Sequence, residues 1–460
     1  MILINPPNSS VDYNYPPLGT LYLASALEKA GKSVSVLHWW HIRRYEKQFS
    51  DAIRNHKEVG ISTNVFTASQ AKDLARFIRQ HFPEKRIIMG GPYATVMYEK
   101  LIPDYADIVV LGEGEETIVE LAAGRNLNEI KGIAYWNGAI KINQPQKLIE
   151  NLDSIPIPAY HLVDLKKYRF VYYRALPFAA MITSRGCPYQ CITCTKVVHG
   201  NKLRLRSLQN VMQELDYLVN RFGVREIHFW DDMFNFYPER VKELCRLIIN
   251  QKYKKLRFAF PNALRADKGD LEMYQLMAKA GTYSISIAAE SGVQDIVNKI
   301  GKGLNLTKVK DSIKMARSVG IRTIVYFMLG LPWDTRLTME NTSKFAKSLR
   351  SNGVSFFIAH PFPGTRLYEI VKKEGKFIRN TDDDCPGYGA GKAVYEIYSL
   401  KKEDVELMYK KAYLDFYLKP QSILNNVLEF VRFPKQYVSF TIRAVLRFLF
   451  KCYITKPNKN

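Results

Sequence analysis

The sequence predicts an α/β protein of two sheet-bearing units in series, followed by a helical extension. Three observations carry this expectation: two separate runs of alternating strand and helix patterns, glycine and proline at the ends of the predicted strands, and a change to helical, basic sequence beyond about residue 400. At 460 residues the chain exceeds what one hydrophobic core usually serves, and its 47% of hydrophobic residues is enough to fill two.

In the first run, residues 1–5, 33–37, 59–62, 86–89 and 107–111 read as short buried strands, and residues 18–30 and 68–81 carry apolar side chains at helical spacing. Such alternation gives a parallel, doubly wound, Rossmann-like sheet, whose ligands sit beyond the carboxyl ends of the strands. Turn residues stand at those ends: Pro16-Pro17 and Gly19, Gly90-Gly91-Pro92, and Gly112-Glu113-Gly114. An Asn137-Gly138 turn between alternating residues marks a hairpin that closes the unit, which spans 1–148. Residues 149–176, with Pro156, Pro158 and several tyrosines, form a linker.

The second unit, 177–400, has strands near 179–183, 226–230, 257–260, 284–288, 323–329 and 355–359. Helices at 208–221, 239–250, 271–280, 306–318 and 339–351 separate them. Six βα units predict a partial barrel, short of the eight that close a complete one, with active-site residues again at strand carboxyl ends. In the extension, 401–460, Arg443, Arg447 and Lys451 recur every four positions and put a cationic stripe on an otherwise apolar helix.

The formal charge of +23 predicts an anionic partner: nucleic acid, a membrane surface, or a phosphorylated or carboxylated substrate. No RNA-recognition, helix-turn-helix or zinc-finger spacing is present, so nucleic acid is not expected. The N-terminal Met1-Ile-Leu-Ile-Asn5 lacks the basic lead of a secretory signal and reads as a strand, which points to the cytoplasm. No apolar run reaches the roughly 18 to 20 residues that span a bilayer.

Of six cysteines, three fall between positions 187 and 194, whereas Cys245, Cys385 and Cys452 are scattered and read as core or surface residues. Cys191 and Cys194 alone would suit a redox pair or half a zinc site. Cys187, four residues upstream and just after the first strand of the second unit, completes a C-x3-C-x2-C loop. Three thiolates on one short loop can wrap three corners of a four-iron cube and leave the fourth iron open to a substrate atom.

This loop is similar to the cluster motif of the radical S-adenosylmethionine superfamily, and the six βα units match its partial barrel. The residue before the last cysteine, commonly aromatic there, is Thr193 here. The resemblance implies a catalytic [4Fe–4S] cluster on Cys187, Cys191 and Cys194. It also implies S-adenosylmethionine contacts from Asp231 or Asp232 to the amino group and from Glu290 and Ser291 to the ribose. Asn262 and Arg265 follow the third strand, where Arg265 holds either a ligand carboxylate or a structural carboxyl partner.

The N-terminal half resembles the cobalamin-binding domain fused to one branch of that superfamily, through Pro17-Leu18-Gly19, Gly90-Gly91-Pro92 and Gly112-Glu113-Gly114-Glu115. Implied cobalamin contacts are Pro17, Gly19, Ser62, Gly90, Gly91, Gly112, Glu113 and Gly114. None of the eight histidines stands in an Asp-x-His-x-x-Gly sequence, so a histidine ligand to the lower face is not expected.

The resemblance then implies reductive cleavage of S-adenosylmethionine, hydrogen abstraction by a 5′-deoxyadenosyl radical, and C-methylation of a hydrophobic or anionic small molecule, with a lipid among the candidates. A second expectation is ring formation, carbon–carbon joining or oxidation, as in the anaerobic magnesium-protoporphyrin monomethyl ester cyclase that this architecture also resembles. A third is a non-catalytic cobalamin or iron–sulfur sensor. Expected partners are an electron donor such as ferredoxin or flavodoxin and, through 436–452, a peripheral contact with the inner face of the membrane.

Overall fold

The computed structural model describes residues 1–6, 15–38, 46–168, 173–253, 255–379, 381 and 391–433. The first sheet contains β1 (Ile2–Asn5), β2 (Ser35–His38), β3 (Glu58–Ser62), β4 (Arg86–Gly90), β5 (Ile108–Val110), β6 (Ile133–Trp136) and β7 (Ile140–Ile142). Their order is β2-β1-β3-β4-β5-β6-β7, parallel through β5 and antiparallel at the closing hairpin.

Alternation along each strand sends side chains to both faces. Ile2, Ile4, Val59, Ile61, Ile87 and Met89 meet the helices Glu46–Arg54 and Ala68–His81 on one side. Leu3, Ile88, Ile108 and Val110 meet the helices Leu18–Lys29 and Glu115–Ala122 on the other. Strand order reverses between β1 and β3, which opens a crevice beyond their carboxyl ends.

The second sheet has six parallel strands, barrel strands 1 to 6: Phe178–Met181, Glu226–Phe229, Arg257–Leu264, Thr282–Glu290, Arg322–Leu329 and Gly353–Ile358. They pair in chain order, and strands 1 and 6 are not joined, so the barrel is open. The expected linker is anchored to it. Tyr160 is fully buried, with its hydroxyl 2.7 Å from both the Ala180 carbonyl and Glu214 Oε1.

After the barrel, the helix Lys402–Tyr417 lies along barrel strand 6, where the Tyr413 and Tyr417 hydroxyls accept from the amides of Phe356 and Val354. The helix Pro420–Arg432 follows. Cys245 is buried in the barrel core. Cys385, Cys452, Arg443, Arg447, Lys451 and the whole of 436–452 lie outside the described residues. Among the described residues no helix is long and apolar enough to cross a membrane.

The loops at the ends of β3 and β4 are tied by Thr63, whose amide donates to the Gly90 carbonyl at 2.7 Å and whose hydroxyl accepts from the Ala94 amide at 3.1 Å. Gly91 beside them has φ +99°, and a Cβ there would collide with the Thr63 carbonyl. Gly91→Ala should therefore cost about 1–3 kcal/mol in urea unfolding of the apoprotein. Gly19→Ala, where a Cβ has nothing within 4 Å, should leave the same measurement unchanged or slightly raised.

Candidate active site between the two sheets

The carboxyl ends of both sheets open into one cavity of about 880 Å³. Its walls include Gly19, Ser62, Gly90, Gly91, Gly112, Glu113 and Gly114 from the first unit. From the barrel come Cys187, Cys191, Cys194, Asp232, Asn262, Arg265 and Glu290. Residues assigned to two cofactors from separate stretches of sequence thus face a shared space.

The cysteine loop leaves barrel strand 1 on a fixed footing. Asp231 Oδ1 accepts from the Thr183 amide at 2.8 Å, the Thr183 hydroxyl at 2.7 Å and the Ser184 hydroxyl at 2.6 Å. Asp231 is 3% exposed and stands off the cavity wall. Oδ1 is thus occupied beneath the loop, whereas Oδ2 of the same carboxylate is buried without a hydrogen-bond partner among the described residues. Asp232 lines the cavity and accepts from the Gly186 amide at 3.3 Å. Gly186 itself has φ +87°, and a Cβ would strike the Lys202 carbonyl, so the turn into Cys187 requires glycine.

The loop is pinned at its middle: the Ile192 amide donates to the Ile300 carbonyl at 3.0 Å, and the Ile192 carbonyl accepts from the Leu367 amide at 2.9 Å. The three cysteines are free thiols. A hydrogen bond from Cys194 lowers the Cys191 thiol to about 7, and the same contact pushes the Cys194 thiol up. Burial pushes up the Cys187 thiol. Three thiols on one wall, with the Lys302 ammonium favouring the anionic form of Cys191, suit a polynuclear thiolate-bound cluster. Among the described residues no three His, Cys, Asp or Glu side chains form a cage for a single ion. A cube asks for something else, since each thiolate binds its own iron.

Beyond barrel strand 3, the Asn262 amide group donates to the Asp231 carbonyl at 2.8 Å. Arg265 is committed: it makes a two-pronged pair with Asp267 at 2.8 and 2.9 Å, donates to the Lys302 and Gly303 carbonyls, and stacks on Tyr189 at 3.6 Å. Arg265 therefore has a carboxyl partner within the chain and also lines the cavity. Beyond barrel strand 4, Glu290 lines the cavity and accepts from Lys302 at 2.6 Å. Ser291 is 1% exposed, faces the Thr342 hydroxyl at 3.1 Å and is off the wall. Ala263 and Glu290 both carry positive φ, 57° and 66°, so two of the non-glycine residues in this strained backbone region border the same cavity.

On the first unit's side, glycine-rich strand ends present bare backbone to the cavity, a cradle that side chains would fill. Pro17 stands off the wall and caps the helix Leu18–Lys29. Glu113 does more than line the cavity. Arg204 grips it with two bonds at 2.9 and 2.8 Å, Arg185 reaches it at 3.1 Å, and His199 Nδ1 lies 3.0 Å away. Arg185 also pairs with Glu115. The Glu113, Arg185 and Arg204 side chains are 2–4% exposed.

These arginines, His199 and Lys302 were not singled out by sequence pattern. Their partners lie 70 or more residues away in the other unit, or follow a different strand, and the available signal was only the nearness of Arg185 to Cys187. Burial alone would raise the Glu113 carboxyl, but the hydrogen bonds from His199 and Arg204 and the charge of Arg185 hold it well below the usual carboxylate range.

Two family descriptions match the chain: Radical SAM superfamily over residues 181–346 and B12 binding domain over residues 5–122. An uncharacterized methyltransferase of Pyrococcus horikoshii, PH0819, is 30% identical over 98% of this chain and 98% of its own length. The anaerobic magnesium-protoporphyrin IX monomethyl ester cyclase of Cereibacter sphaeroides is 24% identical over 78% of this chain and 61% of its own. Among solved structures, the cobalamin-dependent S-adenosylmethionine radical enzyme OxsB, with aqua-cobalamin and S-adenosylmethionine bound, superposes with a TM-score of 0.74 at 19% identity, covering 100% of this chain and 73% of that one. This likeness shows a common fold.

Glu113→Gln should destabilise the chain by about 3 kcal/mol in chemical unfolding, because it leaves the buried Arg204 guanidinium without its carboxylate and Arg185 with Glu115 alone. The pH dependence carries the same sign. With a folded pKa below its ordinary 4.5, Glu113 contributes in full above that value and loses its contribution as pH falls from there through the lowered one. Acid unfolding of Glu113→Gln should consequently show a weaker pH slope below 4.5 than the parent.

Proposed function

The chain belongs to the radical S-adenosylmethionine superfamily, in the branch that carries a B12-binding domain, and from that membership we propose that it methylates an unactivated carbon of a hydrophobic small molecule, with a lipid as the leading candidate. It is an enzyme whose cofactors are a [4Fe–4S] cluster, S-adenosylmethionine and cobalamin. When bound, these supply a one-electron source, a carbon radical able to take hydrogen from an unactivated carbon, and a transferable methyl group.

The observation that carries the reading is the common cavity at the carboxyl ends of both sheets. In this reading Cys187, Cys191 and Cys194 hold the cluster. Asp232, Asn262 and Glu290 receive the cosubstrate beside it, Arg265 on the same wall holds the loop containing Lys302, and Asp231 and Ser291 act behind them as supports. The backbone at Gly19, Ser62, Gly90, Gly91, Gly112 and Gly114 cradles cobalamin. The chain's own task is geometric: it holds the substrate carbon between the two cofactor walls and keeps water away.

Leu3, Ile4, Ile88, Val110, Val197 and Met328 make much of the lining apolar, which supports a hydrophobic substrate. In the same reading electrons come from a donor of the ferredoxin or flavodoxin kind, and the protein works in the cytoplasm. The likeness to the cyclase favours a second reading, ring closure or oxidation at the same site.

The deciding experiment is anaerobic turnover with reductant and an extract of a strain lacking the protein, followed by mass spectrometry of what changes. A gain of one methylene unit supports methylation, and a loss of hydrogen supports the second reading. Alanine at Cys187, Cys191 or Cys194 should abolish the iron–sulfur absorption and reduce 5′-deoxyadenosine to background. A complete absence of 5′-deoxyadenosine from the reconstituted parent would leave only the sensor expectation.

A further inference from the structure

We propose that Thr195 and Lys196, just beyond Cys194, form an oxyanion subsite of the shared cavity that receives a carboxylate, phosphate or phosphonate group of the substrate. The inference rests on the reading above that this cavity holds the substrate, and it narrows that substrate to an amphipathic anion. Both residues line the cavity. The Thr195 hydroxyl oxygen and the Lys196 ammonium nitrogen are buried without a hydrogen-bond partner among the described residues. Buried polar atoms left unbonded are rare, and an unpaired buried cation is the costliest kind. Two such donors on consecutive residues of a cavity wall suit a ligand group made of acceptor oxygens.

The other cations of the wall are already spent. Lys302 pairs with Glu290 at 2.6 Å, Arg265 with Asp267 at 2.8 Å, and Arg185 with Glu113 at 3.1 Å and also with Glu115. Among the described residues, Lys196 is the one lysine or arginine of the wall whose charged head has no hydrogen-bonded partner. The wall therefore keeps one positive charge over for something it binds. The formal charge of +23 on the whole chain favours the approach of an anion to it.

Location separates this subsite from the residues that receive the cosubstrate. Asp232, Asn262 and Glu290 stand at the ends of barrel strands 2, 3 and 4, whereas the stretch 195–200 runs along the first unit. A Cβ at Gly112 would come within 3.9 Å of the Val197 carbonyl oxygen, and one at Gly364 would meet both the Thr195 hydroxyl, at 3.5 Å, and Val96. His199 Nδ1 lies 3.0 Å from Glu113. Thr195 and Lys196 thus stand where the cysteine loop gives way to the glycine cradle, between the two cofactor walls. An anionic group fixed there leaves the apolar remainder of the molecule to the apolar lining. The pair also selects against a neutral apolar molecule, which would strand the ammonium in a dry site.

The test is anaerobic isothermal titration calorimetry of the full-length holoprotein, loaded with cluster and cobalamin and kept without reductant. The probes are octanoate, octylphosphonate and the neutral octanamide. At least one of the two anions should bind about tenfold or more tightly than octanamide, as expected for hydrogen bonds between charged groups in a dry site. Saturating S-adenosylmethionine should leave that preference in place. Lys196→Met should abolish it, and Thr195→Val should lower it about threefold. Iron–sulfur and cobalamin absorption of Lys196→Met should match the parent's. Its apoprotein should unfold in urea at no lower midpoint, because an unpaired buried cation has been removed. Equal binding of the anions and octanamide by the parent, or a preference that survives in Lys196→Met, overturns the proposal. So does a preference lost once S-adenosylmethionine is bound, which would give the donors to the cosubstrate carboxylate. Lost cobalamin or iron–sulfur absorption in the variant would give them to that cofactor, and a lowered urea midpoint to a structural partner, with the same consequence. The readout is binding, so an absence of methylation would strike the reading above without altering these outcomes, and equal binding here would leave methylation standing.

Discussion

The carboxylate of Glu113 is the point on which the two sheets are registered. It stands on the loop after β5, in the first unit, and its guanidinium partners stand on either side of the cysteine loop, in the second. A charge this dry is tolerated only with its counter-charges in place. The requirement therefore fixes how far apart, and at what angle, the glycine cradle and the thiol wall lie. Arg185 extends the constraint to Glu115 and rests over the Tyr22 ring, at 5.1 Å, so the helices Leu18–Lys29 and Glu115–Ala122 are held by the same group. Neither cofactor wall can shift without breaking a buried pair.

A comparable economy operates beneath the cysteines. Asp231 and Asp232 are neighbours in sequence, yet one braces the strand end from below and the other faces the cavity. Arg265 likewise spends its donors on Asp267 and on two backbone carbonyls of the loop containing Lys302. Lys302 in turn neutralises Glu290 beside the thiols. The cavity wall is thus stiffened by bonds among its own polar groups and to Asp231 behind it, which is how a site keeps its geometry before ligands arrive.

Most of the fold was legible because strands buried on both faces are nearly continuous apolar runs, and the longer helices show their period over several turns. The helices at 68–81, 271–280 and 306–318 agree with the structure to the residue. The helices Pro92–Met97, Glu115–Ala122 and Glu46–Arg54 escaped notice, since six to nine residues are too few for a 3.6-residue period to stand out. Within the site, spacing along one loop was readable and pairing across the chain was not. The cysteines share a twelve-residue stretch with the strand end, whereas the Glu113–Arg204 pair spans 91 positions. Which of two adjacent aspartates turns inward depends on the strand-end geometry, and Ser291 is drawn away by Thr342, 51 residues distant.

The anchoring of Ile192 to two remote backbone segments has one further effect. Small metal-dependent domains are unfolded until their ion binds, because nothing else orders the ligands. Here strands and helices already hold the thiol-bearing turn, through the Ile300 carbonyl and the Leu367 amide. Oxidative loss of the inorganic core would accordingly leave a shaped receptacle instead of a collapsed chain, and repair becomes a matter of refilling it.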